Sequence, residues 1–167
     1  MKKVDAAVWE ALKDHISTLE LLGMKAADKA EKQMKAAKIN RKSMVGEIEK
    51  LKAEKLRQYE FYANGSIAKE QYLRKKTELM KRIEALESDI KLQTEECDHQ
   101  SELWESASNL KNKAGSFAGE DKLSRKIAEA FIKDVYIYDP ERIEIVFQHE
   151  DEIARLAESL MDSTTVD

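Results

Sequence analysis

Two long stretches with no helix breaker other than Gly46, separated by the quartet Ala63-Asn64-Gly65-Ser66, constrain this chain more than any other feature of it. Asn-Gly readily takes positive φ and ends a helix in a left-handed cap. A pattern that is helical on both sides of such a cap must fold back on itself. In the first stretch Met34, Ala37, Met44, Ile48, Leu51 and Tyr62 recur at alternating steps of three and four residues. In the second, from about Ala68 to Lys113, Tyr72, Leu79, Ile83, Leu86, Ile90, Cys97 and Trp104 do the same. That repeat is a coiled-coil seam, and two such helices joined by a tight turn pack antiparallel. The expected fold is mainly α, with a long antiparallel coiled coil over residues 24–113 and its tip near 63–67. It should measure about 60 Å, from roughly 40 residues per helix at 1.5 Å each.

Charge tests the pairing independently, because folding back at Gly65 sets residue i beside one numbered roughly 130 minus i. Residues 25–42 carry Lys25, Lys29, Lys32, Lys35, Lys38, Arg41 and Lys42 against Asp28 and Glu31. Facing them, residues 84–105 carry Glu84, Glu87, Asp89, Glu95, Glu96, Asp98, Glu102 and Glu105 against Lys91. A basic stretch that would alone suggest a DNA-binding helix thus has its counter-charge in the same molecule. Exposed pairs of this kind contribute about 0.2–1 kcal/mol each, so they select register more than they supply stability.

Composition agrees. Charged residues make up 37% of the chain, with one Pro and five Gly, a balance that favours long solvated helices over a layered globule. The net charge of -4 gives no general reason to expect a nucleic-acid partner. No run of 18 apolar residues exists, and MKKVDAAVWE lacks the apolar stretch and cleavage site of a signal peptide, so a soluble, cytoplasmic protein without membrane contact is expected. The single cysteine, Cys97, excludes an internal disulfide framework and any multi-cysteine zinc site.

The flanks are read as separate pieces. A leading helix over 1–23 has Asp5 as N-cap and Val8, Leu12, Ile16 and Leu19 on one face, with Gly23 as a stop or bend. The small residues of AGSFAGE mark a linker over 114–121. Residues 122–148 form a short helix, capped by Ser124 with Ile127, Phe131 and Ile132 on its apolar face, and then a β-hairpin. In the hairpin Val135 and Ile137 share a face, as do Ile143, Ile145 and Phe147, and Asp139-Pro140-Glu141-Arg142 supplies the turn. A two-stranded hairpin is marginal alone in water, so it needs a helix beneath it or strands from elsewhere. Over 149–167, DEIARLAESLMD adds a short amphipathic helix and STTVD reads as a disordered tail.

The order of long helix, YEFYANGSIAKEQYLRKK turn, long helix and KLSRKIAEAFIKDVYIYDPERIEIVFQHEDE resembles the C-terminal part of the large serine recombinases, the family of serine integrases and large transposon resolvases. Gly65, Ile67 and Tyr72 at the turn carry the match, with Val135, Tyr136, Tyr138, Arg142, Ile143, Glu144 and Ile145 in the hairpin, and it covers nearly all of residues 4–152. In that family an N-terminal domain holds the serine nucleophile, further domains including a zinc ribbon grip the attachment site, and a long coiled coil is inserted in the zinc-ribbon domain. The resemblance implies that this chain is mainly that insertion, a non-catalytic interaction region of a site-specific recombinase. Its subunit contacts would control synapsis and directionality during DNA integration and excision. It further implies partners of three kinds: other recombinase subunits or a second copy, a directionality factor, and DNA in the context of the full-length recombinase. The chain departs from the family in having no resolvase-type catalytic segment and no zinc-binding cysteines. It is therefore expected not to be an enzyme and to bind no cofactor, zinc belonging to the part of the parent protein not present here. Ala68 with Gln71 also stands where the family commonly has Ser or Thr with an acidic residue; the capping box is lost, at about 0.5–2 kcal/mol, unless Ser66 substitutes.

Among candidate site residues, Cys97, Asp98 and His99 do not form a metal site, because neighbours on a helix point in different directions. Glu95 and Glu96 read as a solvated face, and His15 and His149 have no partner visible in sequence. The tip differs. Tyr59, Phe61, Tyr62, Ile67 and Tyr72 crowd a place where helix ends are normally polar, and Lys69, Arg74, Lys75, Lys76, Lys81 and Arg82 outnumber Glu70 and Glu78 beside them. Aromatics interleaved with basic residues favour anchoring contacts, which makes Tyr59, Tyr62, Ile67 and Tyr72 the expected partner-binding set, as against tyrosines that merely close the hairpin end. Lys133 and Arg142 are a weaker expectation for DNA contact, with Glu141 and Glu144 beside them. Two other readings stand beside the recombinase one: a direct nucleic-acid binder using residues 25–42, and a free-standing coiled-coil adaptor.

Overall fold

The computed structural model describes residues 2–139 and 141–162. Helix α1 runs Lys2–Ala63 and α2 Lys69–Gly115; α3 (Arg125–Phe131), β1 (Ile132–Asp139), β2 (Arg142–Phe147) and α4 (Glu150–Met161) follow. The protein is mainly α, with two long helices packed against each other and one small antiparallel hairpin near the C-terminus. It divides into two compact units, Met1–Glu31 with Glu102–Asp167, and Lys32–Ser101.

Gly23 does not stop the helix expected over 1–23, because α1 continues through it. Glycine inside a helix costs about 1 kcal/mol against alanine. Here the absence of a side chain is what the packing requires: a Cβ at Gly23 would lie 2.8 Å from the Ala107 carbonyl oxygen and 2.9 Å from Lys111 Cβ. Ala26, Ala30, Ala107 and Ala114, all buried, continue this close contact between the helices. Larger apolar residues complete the core of the unit: Leu12, Ile16, Leu19, Leu103 and Leu110 from the long helices, with Ile127, Phe131 and Leu156 laid over them.

In the unit Lys32–Ser101 the seam is thinner. Its core is Ile48, Ile83 and Leu86, with Met44, Leu51 and Ile90 partly buried around it. Arg82 joins Glu47 at 2.9 Å and Arg41 donates to the Thr94 hydroxyl at 3.4 Å, which matches the expected antiparallel register. On α2 the seam then changes phase. Cys97 is half-buried, Gln100 is buried, and the next buried residue is Leu103, so two steps of three follow each other before Ala107. Such a break moves the apolar stripe sideways by one position. Trp104, expected in the seam from the regular repeat, therefore lies off it and is 42% exposed.

The segment expected as a linker over 114–121 is structured at its start. Ala114 and Gly115 close α2, the chain turns over Ser116–Gly119, and the Phe117 ring meets Phe131 edge-on at 5.4 Å. Ser124 caps α3 as expected, its hydroxyl accepting from the Ile127 N–H at 3.3 Å. Ile132 leaves the helix in extended conformation and begins β1 instead of extending the helical face. Val135 pairs with Ile145 and Ile137 with Ile143, so the expected apolar hairpin face forms, but β1 is exposed from Lys133 onward. Glu141 N–H donates to Asp139 Oδ1 at 2.9 Å; Pro140, expected in this turn, and STTVD, expected as a tail, lie outside the described residues. The amphipathic helix α4 buries Leu156 and is tied to α1 by a hydrogen bond from Lys29 Nζ to the Ser159 carbonyl. Among the described residues no helix is long and apolar enough to cross a membrane.

Candidate functional site

The turn between the long helices is built by its own residues. Gly65 takes φ +79, Ser66 N–H donates to the Phe61 carbonyl at 2.8 Å and Gly65 N–H to that of Tyr62 at 3.1 Å. This paired closure satisfies the last carbonyls of α1. Ser66 also donates its N–H to Asn64 Oδ1 at 3.0 Å, and its hydroxyl bonds the same oxygen, so Ser66 completes an Asx turn and does not replace the missing cap of α2. Half of the capping box survives: Gln71 Oε1 accepts from the Ala68 N–H at 3.2 Å.

This short turn brings three expected residues into one aromatic cluster. Tyr62 and Tyr72 stack with centroids 5.0 Å apart and planes 8° from parallel, while Tyr59 meets Tyr72 edge-on at 6.1 Å. The rings are not sealed in the seam. Tyr62 is 36% and Tyr59 52% exposed, and Ile67 is half-buried beside them at the turn. Each ring has lost part of its water shell to another ring and presents the rest outward, an arrangement that favours further burial.

Beside the cluster lies a shallow groove lined by Lys52, Lys55, Leu56, Tyr59, Tyr72 and Lys76. Leu56 is 60% exposed on its floor. Lys76 Nζ sits 5.9 Å from the Tyr72 centroid, a cation–π distance. Not all of the basic excess expected at the tip is available, since Lys75 pairs with Glu78 and Arg82 with Glu47. Lys52 and Lys55 add to what remains. Neither was evident from sequence because residues 43–62 balance overall; the signal was the spacing of Lys52, Lys55, Leu56 and Tyr59 at i, i+3, i+4 and i+7, which puts them on one face.

The two residues expected at DNA are not brought together. Lys133 falls at the register shift between Ile132 and Asp134, whereas Arg142 opens β2 at the other end of the hairpin, opposite Asp139. The Arg142 guanidinium lies 4.8 Å from the Tyr138 centroid, and Tyr138 donates its hydroxyl to Glu144 Oε2 at 3.0 Å, which raises the pKa of the phenol. Lys133 shares a groove with Glu150, Asp151 and Glu152, whose carboxylates oppose a phosphate there.

The histidines without visible partners do have them. His15 stacks on Phe147 with centroids 3.7 Å apart and planes 10° from parallel. Its Nε2 is buried without a hydrogen-bond partner, and burial lowers the ring's pKa, an effect partly opposed by the charge of Glu150. His149 Nε2 lies 2.9 Å from Lys113 Nζ, and its Nδ1 lies 3.6 Å from Glu152. Among the described residues no group of three His, Cys, Asp or Glu is placed to hold a metal ion. Comparison of the chain with protein-family models, curated proteins and solved structures returns no match.

Proposed function

We propose that this chain is a non-catalytic interaction module whose helical-hairpin tip docks a protein partner, and that it serves as the coiled-coil region of a cytoplasmic site-specific recombinase, where such contacts control synapsis and directionality during DNA integration and excision. The observation that carries the docking reading is the half-open aromatic cluster of Tyr59, Tyr62 and Tyr72 beside an exposed Leu56. Aromatic anchors of this kind dominate binding energy when a partner completes their desolvation. The recombinase context rests on the resemblance of the turn and hairpin segments to that family. Tyr62 and Ile67 act by holding Tyr72 and the turn in place, and the lysines beside them steer the partner's approach.

Sedimentation equilibrium over a wide concentration range tests the docking reading, using the parent chain and a Tyr62→Ala, Ile67→Ala variant. The expected result is association of the parent that is lost in the variant, with helix content by circular dichroism unchanged. Association persisting undiminished in the variant would overturn it.

A further inference from the structure

Leu92 on α2 is 58% exposed, although it is a large apolar side chain far from any helix end. Asp89, Glu95 and Glu96 stand around it at i−3, i+3 and i+4, all exposed, with Glu96 also accepting from Gln100 Nε2 at 2.8 Å. Residues at these spacings are neighbours on a helix surface. The result is one apolar side chain ringed by three carboxylates. The groove beside the tip is the same arrangement with the sign reversed: Leu56, Tyr59 and Tyr72 form an apolar floor, and Lys52, Lys55 and Lys76 stand at its rim with no carboxylate partner among the described residues.

We propose that the tip groove of one copy of this chain receives the Leu92 face of a second copy, carboxylates against lysines. The inference rests on the tip being a docking surface and names its occupant. Leu92 cannot fill the groove of its own copy, because it shares a rigid helix with Tyr72 and Lys76 and lies at least about 24 Å along that helix from them. Two tips meeting each other is the less favourable arrangement. Each carries Lys52, Lys55 and Lys76 around its exposed rings, so a tip-to-tip contact would oppose like charges while desolvating them. Against the Leu92 face the same lysines gain opposite charges, and Leu56 and Tyr59 gain an apolar neighbour. The contact joins two different surfaces, so each participating chain offers both a groove and a Leu92 face.

Sedimentation equilibrium on full-length variants separates the possibilities. A groove variant, Lys52→Glu with Lys55→Glu, changes one exposed and one half-buried lysine, and a flank variant, Asp89→Lys with Glu95→Lys, changes exposed side chains only. Each alone should associate about a hundredfold more weakly than the parent. An equimolar mixture should recover association, because the flank variant keeps the native groove and the groove variant keeps the native Leu92 face. Parent chain that stays monomeric throughout overturns the inference, and so does a flank variant that associates like the parent. If the Tyr62→Ala, Ile67→Ala variant fails to associate while the flank variant associates normally, the tip docks something other than the Leu92 face. If neither change weakens association, the tip is not the docking surface either.

Discussion

One helix pair, packed in two ways, separates the two units. In the unit of Met1–Glu31 and Glu102–Asp167 the long helices meet over Gly23, Ala26, Ala30, Ala107 and Ala114, and α3, the hairpin and α4 lie over the pair. In Lys32–Ser101 the helices have only each other, and of the six residues in the local core three remain partly exposed. A two-helix layer has no third element to bury its flanks, so its apolar side chains stay half in water. The first unit is organised to be stable. The second presents surface, and it is there that the aromatic cluster, the lysine-rimmed groove and Leu92 all lie.

The largest expected contrast comes from truncating one core residue in each unit. Phe131 is 1% exposed, and Phe131→Ala should destabilise its unit by about 3–5 kcal/mol in urea denaturation followed by circular dichroism. Ile83→Ala, at the two-helix seam, should cost about 2 kcal/mol, because water reaches the vacated space. Equal losses would mean that the third layer adds nothing to burial. The glycines of α1 sharpen the contrast by sign. Gly23→Ala should cost about 1–3 kcal/mol, since its Cβ meets backbone at 2.8 Å and the helices must part. Gly46→Ala meets nothing within 4 Å and should stabilise by about 0.5–1 kcal/mol. A gain at both positions would remove close approach as the reason for Gly23.

At the tip, Ala68→Ser should restore the other half of the capping box and stabilise the two-helix unit by about 1 kcal/mol, with no effect on the three-layered one. The smallest effect is pH-dependent and confined to the covered unit. The folded ring of His15 holds its proton less tightly than the unfolded chain, so protonation favours unfolding. Its contribution is complete above the ordinary value of 6.5 and declines as pH falls through and below it. The midpoint of urea denaturation should therefore drop between pH 7.5 and 5.5 in the parent and less so in His15→Phe; identical profiles would show that the ring stacked on Phe147 does not titrate with unfolding.

Local chemistry was readable in the sequence where it depends on neighbours along the chain. Asn64-Gly65 announced the turn, Ser124 the cap of α3, and the alternation of Val135 and Ile137 against Ile143 and Ile145 the hairpin face. What escaped depends on residues far apart. Gly23 looks like a breaker until Ala107 and Lys111 are set against it, and His15 looks solitary until Phe147 arrives. Trp104 was misplaced because a regular repeat cannot show that one step of three will follow another. At the tip, the tyrosines were legible from their spacing, whereas Lys52 and Lys55 were concealed by averaging charge along a segment instead of around the helix.

The covered unit is assembled from residues at both ends of the sequence, with Lys29 bonded to Ser159 and His15 stacked on Phe147. On a ribosome this fixes an order of events. The two-helix hairpin closes around a turn of a few residues and can form while later codons are still being read, since its contacts nearest the turn are local. The apolar face of Leu12, Ile16 and Leu19 has to wait until Ile127, Phe131 and Leu156 have emerged. Throughout that interval the nascent chain carries an uncovered greasy stripe, the kind of surface that holding chaperones bind. A face that is buried in the folded unit is thus exposed through much of its synthesis.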